Sequence, residues 1–279
     1  MRRRRSLYCW LALAPLLSVS LFPFVVMLST ALKPTTEIFI YPPRWLPSRL
    51  APESFVDMWR ATAFGLALRN SLEIATASAL LTLLVAVPAG YAVARLDFRA
   101  KAGYRQFLLA TQMLSPILLV LGLFRLMAAI PFGDGTLVNT RLGIILPYAG
   151  FQVAFAVWML SSYFAAIPRE IEEAAWMDGC SRSRAILSIF MPLALPAIAV
   201  TGIVAFVAAW NEFALALTLL RDPERQTVTI EVVNLVAGRY TVEWNQVMAA
   251  ALVATTPVAA LFTWLQRYLV RGLTFGAIQ

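Results

Sequence analysis

No histidine occurs anywhere in the 279 residues. A Ser–His–Asp triad, an HExxH zinc site and a haem-ligating histidine are therefore excluded, because each needs an imidazole nitrogen. Lysine is nearly absent too: the chain has only Lys33 and Lys101, and neither follows a glycine. The phosphate-cradling GxxxxGK(S/T) loop cannot be built, so any ATP this protein depends on is bound by another chain. Charged residues make up 14% of the chain, against roughly 25% in soluble domains. No paired carboxylates or metal-ligand spacings stand out among the few acids, which argues against a membrane enzyme acting on lipid. Of the two cysteines, Cys9 and Cys180, both are expected on the reducing side of the membrane, where a disulfide does not persist.

What the chain has in abundance is apolar surface. Hydrophobic residues are 60% of it and the mean hydropathy is +0.74. That leaves too little polar surface to cover a water-soluble globule, and the bilayer is the solvent such a composition fits. A spanning helix needs about 20 mostly apolar residues. Six charge-free runs meet that length: Ser6–Leu32, Ile74–Ala94, Gln106–Phe124 (continuing past Arg125 to Phe132), Leu142–Pro168, Ala185–Asn211 (continuing past Glu212 to Leu220) and Trp244–Gln266. All are too long for barrel strands. The first follows Arg2–Arg5 as a signal peptide would. Its apolar stretch far exceeds the about 7–15 residues of a signal core, so an uncleaved helix is expected.

The formal net charge of +8 could suggest a nucleic-acid partner, but its placement points to topology instead. With the N-terminus inside, the inner segments hold Arg2–Arg5, Arg95, Arg99, Lys101, Arg105, Arg169, Arg182, Arg184, Arg267 and Arg271, thirteen in all. The outer segments hold eight: Lys33, Arg44, Arg49, Arg60, Arg141, Arg221, Arg225 and Arg239. This bias predicts both termini in the cytoplasm, and nucleic acid is not an expected partner.

Between the spans, loop 33–64 contains the proline-rich YPPRWLPS and is expected to be extended, not helical. The second span opens in RNSLEIATAS, with Asn70 or Ser71 as its cap. PFGDGTLVNTR is a turn-rich link between spans three and four, and residues 221–243 are long enough for a short outer helix. Prolines 15, 23, 88, 116, 147, 196 and 257 fall inside the spans. Neighbouring helices can re-satisfy the carbonyls these free, and a sharper reading makes them hinges. No strong internal repeat is visible, against the pattern of many secondary transporters.

One segment is unlike the rest. PREIEEAAWMDG, residues 168–179, carries Glu170, Glu172 and Glu173 in its first turns, where the helix dipole favours negative charge. Pro168 suits the first helical position and Gly179 the position after the last turn. The expected helix is about ten residues, about 15 Å long, with Ile171, Ala174, Ala175 and Asp178 on one face. A second short helix over roughly 181–190 should feed span five. Interfacial helices are usually basic, and an anionic leaflet would repel this acidic one. So short a helix is also marginal in water by itself. It is expected to dock on protein, in another chain.

From Glu173 to Pro192, EAAWMDGCSRSRAILSIFMP resembles the EAA loop of permease subunits of binding-protein-dependent ABC importers, with Glu173, Ala174, Ala175, Gly179, Ile189 and Pro192 at that family's spacing and Met191 where leucine is usual. NSLEIATAS (70–78), AGYAVARLDF (89–98), AWNEFALALTLL (209–220) and QRYLVRGLTFGAIQ (266–279) are similar to carbohydrate permeases of the maltose/sn-glycerol-3-phosphate type, in particular the second permease partner. The resemblance covers about residues 66–279. It implies an all-α integral membrane protein with six transmembrane helices, the type I ABC importer transmembrane domain. Residues 1–65 would be a first helix and outer loop, 66–270 the five-helix translocating domain with a coupling helix at 168–180, and 271–279 a cytoplasmic tail. It also implies a multi-pass protein of the bacterial inner membrane that carries a sugar or sugar-like solute (oligosaccharide, amino sugar or glycerophospho-compound). Its partners would be two ATP-binding subunits holding ATP and Mg, a homologous second permease and an extracytoplasmic solute-binding protein, with no cofactor in this chain. Glu172, Glu173, Ala174, Ala175, Asp178 and Gly179 would couple to the ATPase.

Ionisable residues inside spans are functional candidates. Arg69 and Glu73 lie near the outer start of span two, Arg125 near the outer end of span three, and Glu212 about 12 Å in from the outer end of span five. They can pair with each other, for example Arg125 with Glu212. Alternatively they line a solute path in which Trp210 offers a flat face to a sugar and Asn211 and Glu212 bond its hydroxyls, with Gln152 and Trp158 as weaker members.

Overall fold

The computed structural model describes residues 2–133, 135–237 and 242–275. Arg239 and the end of the 271–279 tail lie outside them, as do the side chains of Arg2–Arg5, Cys9, Arg267 and Arg271. Helices dominate: α1 (Arg2–Ala31), α2 (Glu53–Ala61), α3 (Phe64–Arg95), α4 (Lys101–Gln112), α5 (Pro116–Ala129), α6 (Arg141–Ala166), α7 (Glu170–Met177), α8 (Arg182–Ala185), α9 (Met191–Asn211), α10 (Ala214–Leu219), α11 (Val228–Asn234) and α12 (Trp244–Phe275). In hydrocarbon every backbone polar group must bond within the protein, and a helix does this within one segment. A two-residue antiparallel ribbon, β1 (Pro131–Phe132) with β2 (Gly135–Thr136), pairs Pro131 with Thr136 outside the long helices.

Among the described residues, five helical stretches are long and apolar enough to cross a membrane: Leu13–Ala31, Phe64–Arg95, Arg141–Ala166, Arg182–Asn211 and Trp244–Trp264. A sixth crossing arises if α4 and α5 count as one, and these meet at a bend of 97°. The single run expected over 106–124 is therefore broken. Pro116 has no N–H and crowds the residue before it, and Ser115 is extended at φ −69°, ψ 128°. Pro88, Pro147, Pro196 and Pro257 sit within continuous helices instead.

Two loop expectations also change. Segment 33–64 is not wholly extended: it holds a 3-10 turn at Thr35–Glu37 and the helix α2. Asn70 and Ser71 are not caps, because α3 begins at Phe64 and carries both of them buried in its interior. The Asn70 amide donates to the carbonyls of Glu224 (2.9 Å) and Gln226 (3.1 Å), and the Ser71 hydroxyl accepts from the Val228 N–H at 2.8 Å. These cap-type side chains thus clip the 224–228 segment to α3.

The chain divides into two compact units. One holds the chain up to Leu66 with Ile230–Pro257. Its buried Asn245 amide donates to Ser54 (3.0 Å) and Thr35 (3.2 Å), fixing the start of α12 against α2 and the preceding loop. Gly65 passes beneath Trp59, whose ring would lie 3.2 Å from an added Cβ.

The other unit holds Ala67–Thr229 with the chain from Val258 onward. Its core gathers Ala86, Val93 and Ala94 of α3, Leu108 of α4, Val157, Leu160 and Phe164 of α6, and Phe190 and Ala194 of span five. Lipid tails are as apolar as leucine, so small residues and close packing, not burial from water, hold such helices together. A Cβ on Gly90 would come within 3.0 Å of Leu160, and one on Gly202 within 2.8 Å of Leu83, so α6 and α9 both approach α3 closely.

Candidate functional site: a short acidic helix anchored to the bundle

Helix α7 follows the end of α6. The Arg169 carbonyl accepts the N–H groups of Glu172 (3.0 Å) and Glu173 (3.1 Å), so the helix starts two residues later than Pro168. Its end is as the glycine indicated: Cys180 N–H donates to Ala175 (2.9 Å) and Gly179 N–H to Trp176 (3.0 Å). That double bond pattern is a Schellman cap, and Gly179 takes its left-handed position at φ +80°.

The two sides of α7 differ in a way that the local sequence does not. Glu172 and Ala175 turn inward, 4% and 6% exposed, while Glu170, Glu173, Ala174, Met177 and Asp178 form an exposed stripe with Met177 at 88%. Gly179 is exposed as well. The expected face is thus corrected: Ile171, Ala174 and Asp178 are exposed, but Ala175 faces the bundle. Trp176 is partly covered by the Arg182 guanidinium, 5.5 Å above its ring.

Glu172 is the anchor. One oxygen accepts from Arg95 Nε at 2.7 Å and the other from the Tyr91 hydroxyl at 2.8 Å. The Arg95 and Glu172 side chains are 7% and 5% exposed. Arg95 also donates to the Ile167 carbonyl at 2.8 Å, where α6 ends, and lies 5.2 Å from the centre of the Phe190 ring. Phe190 in turn meets Tyr91 and Phe164 edge-on, each at 5.1 Å. It closes a π-helical turn, Ile186–Phe190, between α8 and α9, so the short helix expected over 181–190 is the irregular start of span five.

At the other end of this unit, the helical run into Leu220 is interrupted at Glu212, which is extended (φ −73°, ψ 134°). Its carboxylate accepts from the Tyr148 hydroxyl (2.6 Å) and from the N–H groups of Leu215 (2.9 Å) and Ala216 (3.1 Å). It therefore caps α10, and its partners do not include Arg125. Pairing among span charges is realised elsewhere: Glu73 holds Arg69 at 2.7 Å and Arg141 through its second oxygen. Trp210 is not an open face, because it is buried and stacked on Phe206 at 5.6 Å. Asn211 is exposed, and Gln152 is half-buried one turn from Tyr148 on α6. Trp158 lines a cavity of about 220 Å³ with Arg105, Ser161 and Ser162.

Tyr91, Arg95 and Tyr148, which bond the two carboxylates, and exposed Met177 are residues of this geometry that the sequence reading passed over. Arg95 counted only as an inside charge. Its spacing of four from Tyr91, which puts both on one face of α3, was the available signal.

A multi-pass helical bundle that presents a short acidic helix beyond its spans is the class this geometry defines. Residues 86–275 match the family described as binding-protein-dependent transport system inner membrane component, and the chain belongs to it. It is a multi-pass membrane subunit of the permease kind. The sulfoquinovosyl glycerol transport system permease protein SmoH of Agrobacterium fabrum is 34% identical over 270 residues, covering 97% of this chain and 93% of that protein. The trehalose/maltose transport system permease protein MalG of Thermococcus litoralis is 31% identical over 268 residues, covering 94% and 92%. A bacterial ABC transporter involved in the import of the acidic polysaccharide alginate contains a chain of the same fold. Its TM-score is 0.79 at 20% identity, over 95% of this chain and 96% of that one.

Proposed function

We propose that this chain is a permease subunit of an ATP-driven importer for a sugar or sugar-like solute, with α7 as the helix through which the ATPase acts. The observation that carries the proposal is the exposed stripe Glu170, Glu173, Ala174, Met177 and Asp178 on a helix tied down from its opposite side by Glu172. Small Ala174 lets a surface approach, Met177 is a flexible apolar knob, and the acids repel an anionic leaflet. A cleft in an ATP-binding subunit suits that stripe, with Gly179 setting the turn that follows. SmoH and MalG, named for a sugar glycerol and for disaccharides, support the solute class.

In this reading two ATP-binding subunits hold ATP and Mg, a homologous second permease completes the pathway, and an extracytoplasmic protein delivers the solute. Both termini and α7 face the cytoplasm. Residues 1–65 flank a translocating domain, 66–270, that ends in the 271–279 tail. Asn211 and Gln152 are the polar groups proposed for the solute path, with buried Trp210 and half-buried Glu212 as the supports behind them.

The test is the native mass of the complex purified through this chain in mild detergent. A mass that fits this permease, a second permease and two ATP-binding copies is expected. A lone chain or a homo-oligomer, with no ATPase even after crosslinking at Cys180, would sink the proposal.

A further inference from the structure

We infer that Arg95, Tyr91 and Glu172 form a buried joint that makes α7 and α3 move as one body. The inference rests on α7 being the helix on which the ATPase acts. On α7, the side chains turned inward are Glu172 and Ala175, and only Glu172 makes directional bonds. Those bonds run to Tyr91 and Arg95, one turn apart at the end of α3 and 81 and 77 residues away in sequence. Arg95 is shared: a second donor holds the Ile167 carbonyl at the end of α6, and its guanidinium lies over Phe190 at the end of the π-turn of span five. Three elements that border α7 therefore meet on one guanidinium.

Stability alone is a poor reason for this arrangement. Removing two charges from water costs about as much as their attraction returns, and apolar substitutes of the same volume often do as well. What an ion pair with a fixed fork adds is direction, because guanidinium and carboxylate bond in few relative orientations. A sideways push on an apolar contact can slide it. The same push on Glu172 must carry Arg95 with it or break two charge-assisted bonds. Arg95, Tyr91 and Glu172 are thus positioning residues: they touch neither nucleotide nor solute, and they set where α7 lies relative to α3.

The experiment uses the complex purified through this chain, with Cys9 and Cys180 replaced by serine and spin labels on cysteines placed at the exposed positions Ile171, on α7 outside the docking stripe, and Leu84. Electron–electron distance distributions are recorded without nucleotide and with Mg-ATP plus vanadate. In the parent complex the Ile171–Leu84 distribution is expected to stay unchanged on nucleotide binding. In Glu172→Gln it should shift with nucleotide and widen at least about twofold. Tyr91→Phe removes one bond without altering a charge; it should widen the distribution less, and it carries the test if Glu172→Gln does not assemble. A distribution that ignores both substitutions, or one that shifts with nucleotide in the parent as much as in the variants, overturns the joint. A purely structural role would lower the unfolding midpoint and leave the nucleotide response as in the parent, which also overturns it. A Met177→Cys crosslink to the ATP-binding subunits separates the two levels. With the crosslink present and the distances insensitive, only the joint fails. With no crosslink in the parent complex, the reading of α7 fails and the joint falls with it.

Discussion

Glu172 and Glu212 belong to the same unit, each beside a tyrosine hydroxyl, and they are held in opposite ways. Glu172 neutralises a buried guanidinium from another helix. Among the described residues no cation bonds Glu212: a tyrosine and the free amides at the start of α10 take its lone pairs. The first carboxylate joins elements distant in sequence. The second ends one helix and begins the next, and apart from Tyr148 its bonds are local. Glu172 is therefore costly to orphan, while Glu212 shares its load among several donors.

Three substitutions sharpen or break this contrast. The largest effect is expected from Arg95→Ala, which leaves Glu172 buried with only the Tyr91 hydroxyl. Orphaning one member of a buried pair costs about 3–5 kcal/mol. Reversible unfolding in mixed micelles should show that loss, and a loss under about 1 kcal/mol would mean that water already reaches the pair. Glu212→Gln comes next. The amide keeps an acceptor oxygen for Tyr148 and the α10 N–H groups but surrenders the charge, so about 1–2 kcal/mol is expected. Should the same unfolding assay give a loss as large as for Arg95→Ala, the two carboxylates would not differ in kind. Smallest in folding terms is Glu173→Lys on the exposed stripe of α7. Its midpoint should move by less than about 0.5 kcal/mol, while recovery of ATP-binding subunits with the purified chain falls several-fold. Undiminished recovery would remove Glu173 from the contact face.

The spans and α7 were legible because their signals are local. Charge-free length marks a crossing, and three acids before a glycine mark a short helix with its cap. Which face of α7 looks inward was not legible. It is decided by Arg95, which no window around residue 172 contains. The same limit explains Asn70 and Ser71: their side chains suit a cap, but in the folded chain they find backbone groups about 155 positions later. It explains Pro116 as well. Several prolines lie in apolar runs, and whether the carbonyls each one frees find new partners depends on neighbouring helices. Trp210 looked like a platform for a sugar because an indole is flat and polar at one edge, yet Phe206, one turn earlier, already occupies its face.

The π-turn at Ile186–Phe190 has a consequence for chain length. Such a turn holds one residue more than an α-turn does. Deleting one of the five would let the segment close into an ordinary α-turn with nearly the same net rotation, because the wide turn already spreads its rotation over the extra residue. A residue deleted from the regular helix of α9 would instead turn everything before it by about 100° about the axis of span five. Glu172 would then swing away from Arg95, although no residue of the joint had been altered. The π-turn is thus the place in span five where the chain can give up one residue of length and keep α7 at its angle, and the regular helix beyond it is not.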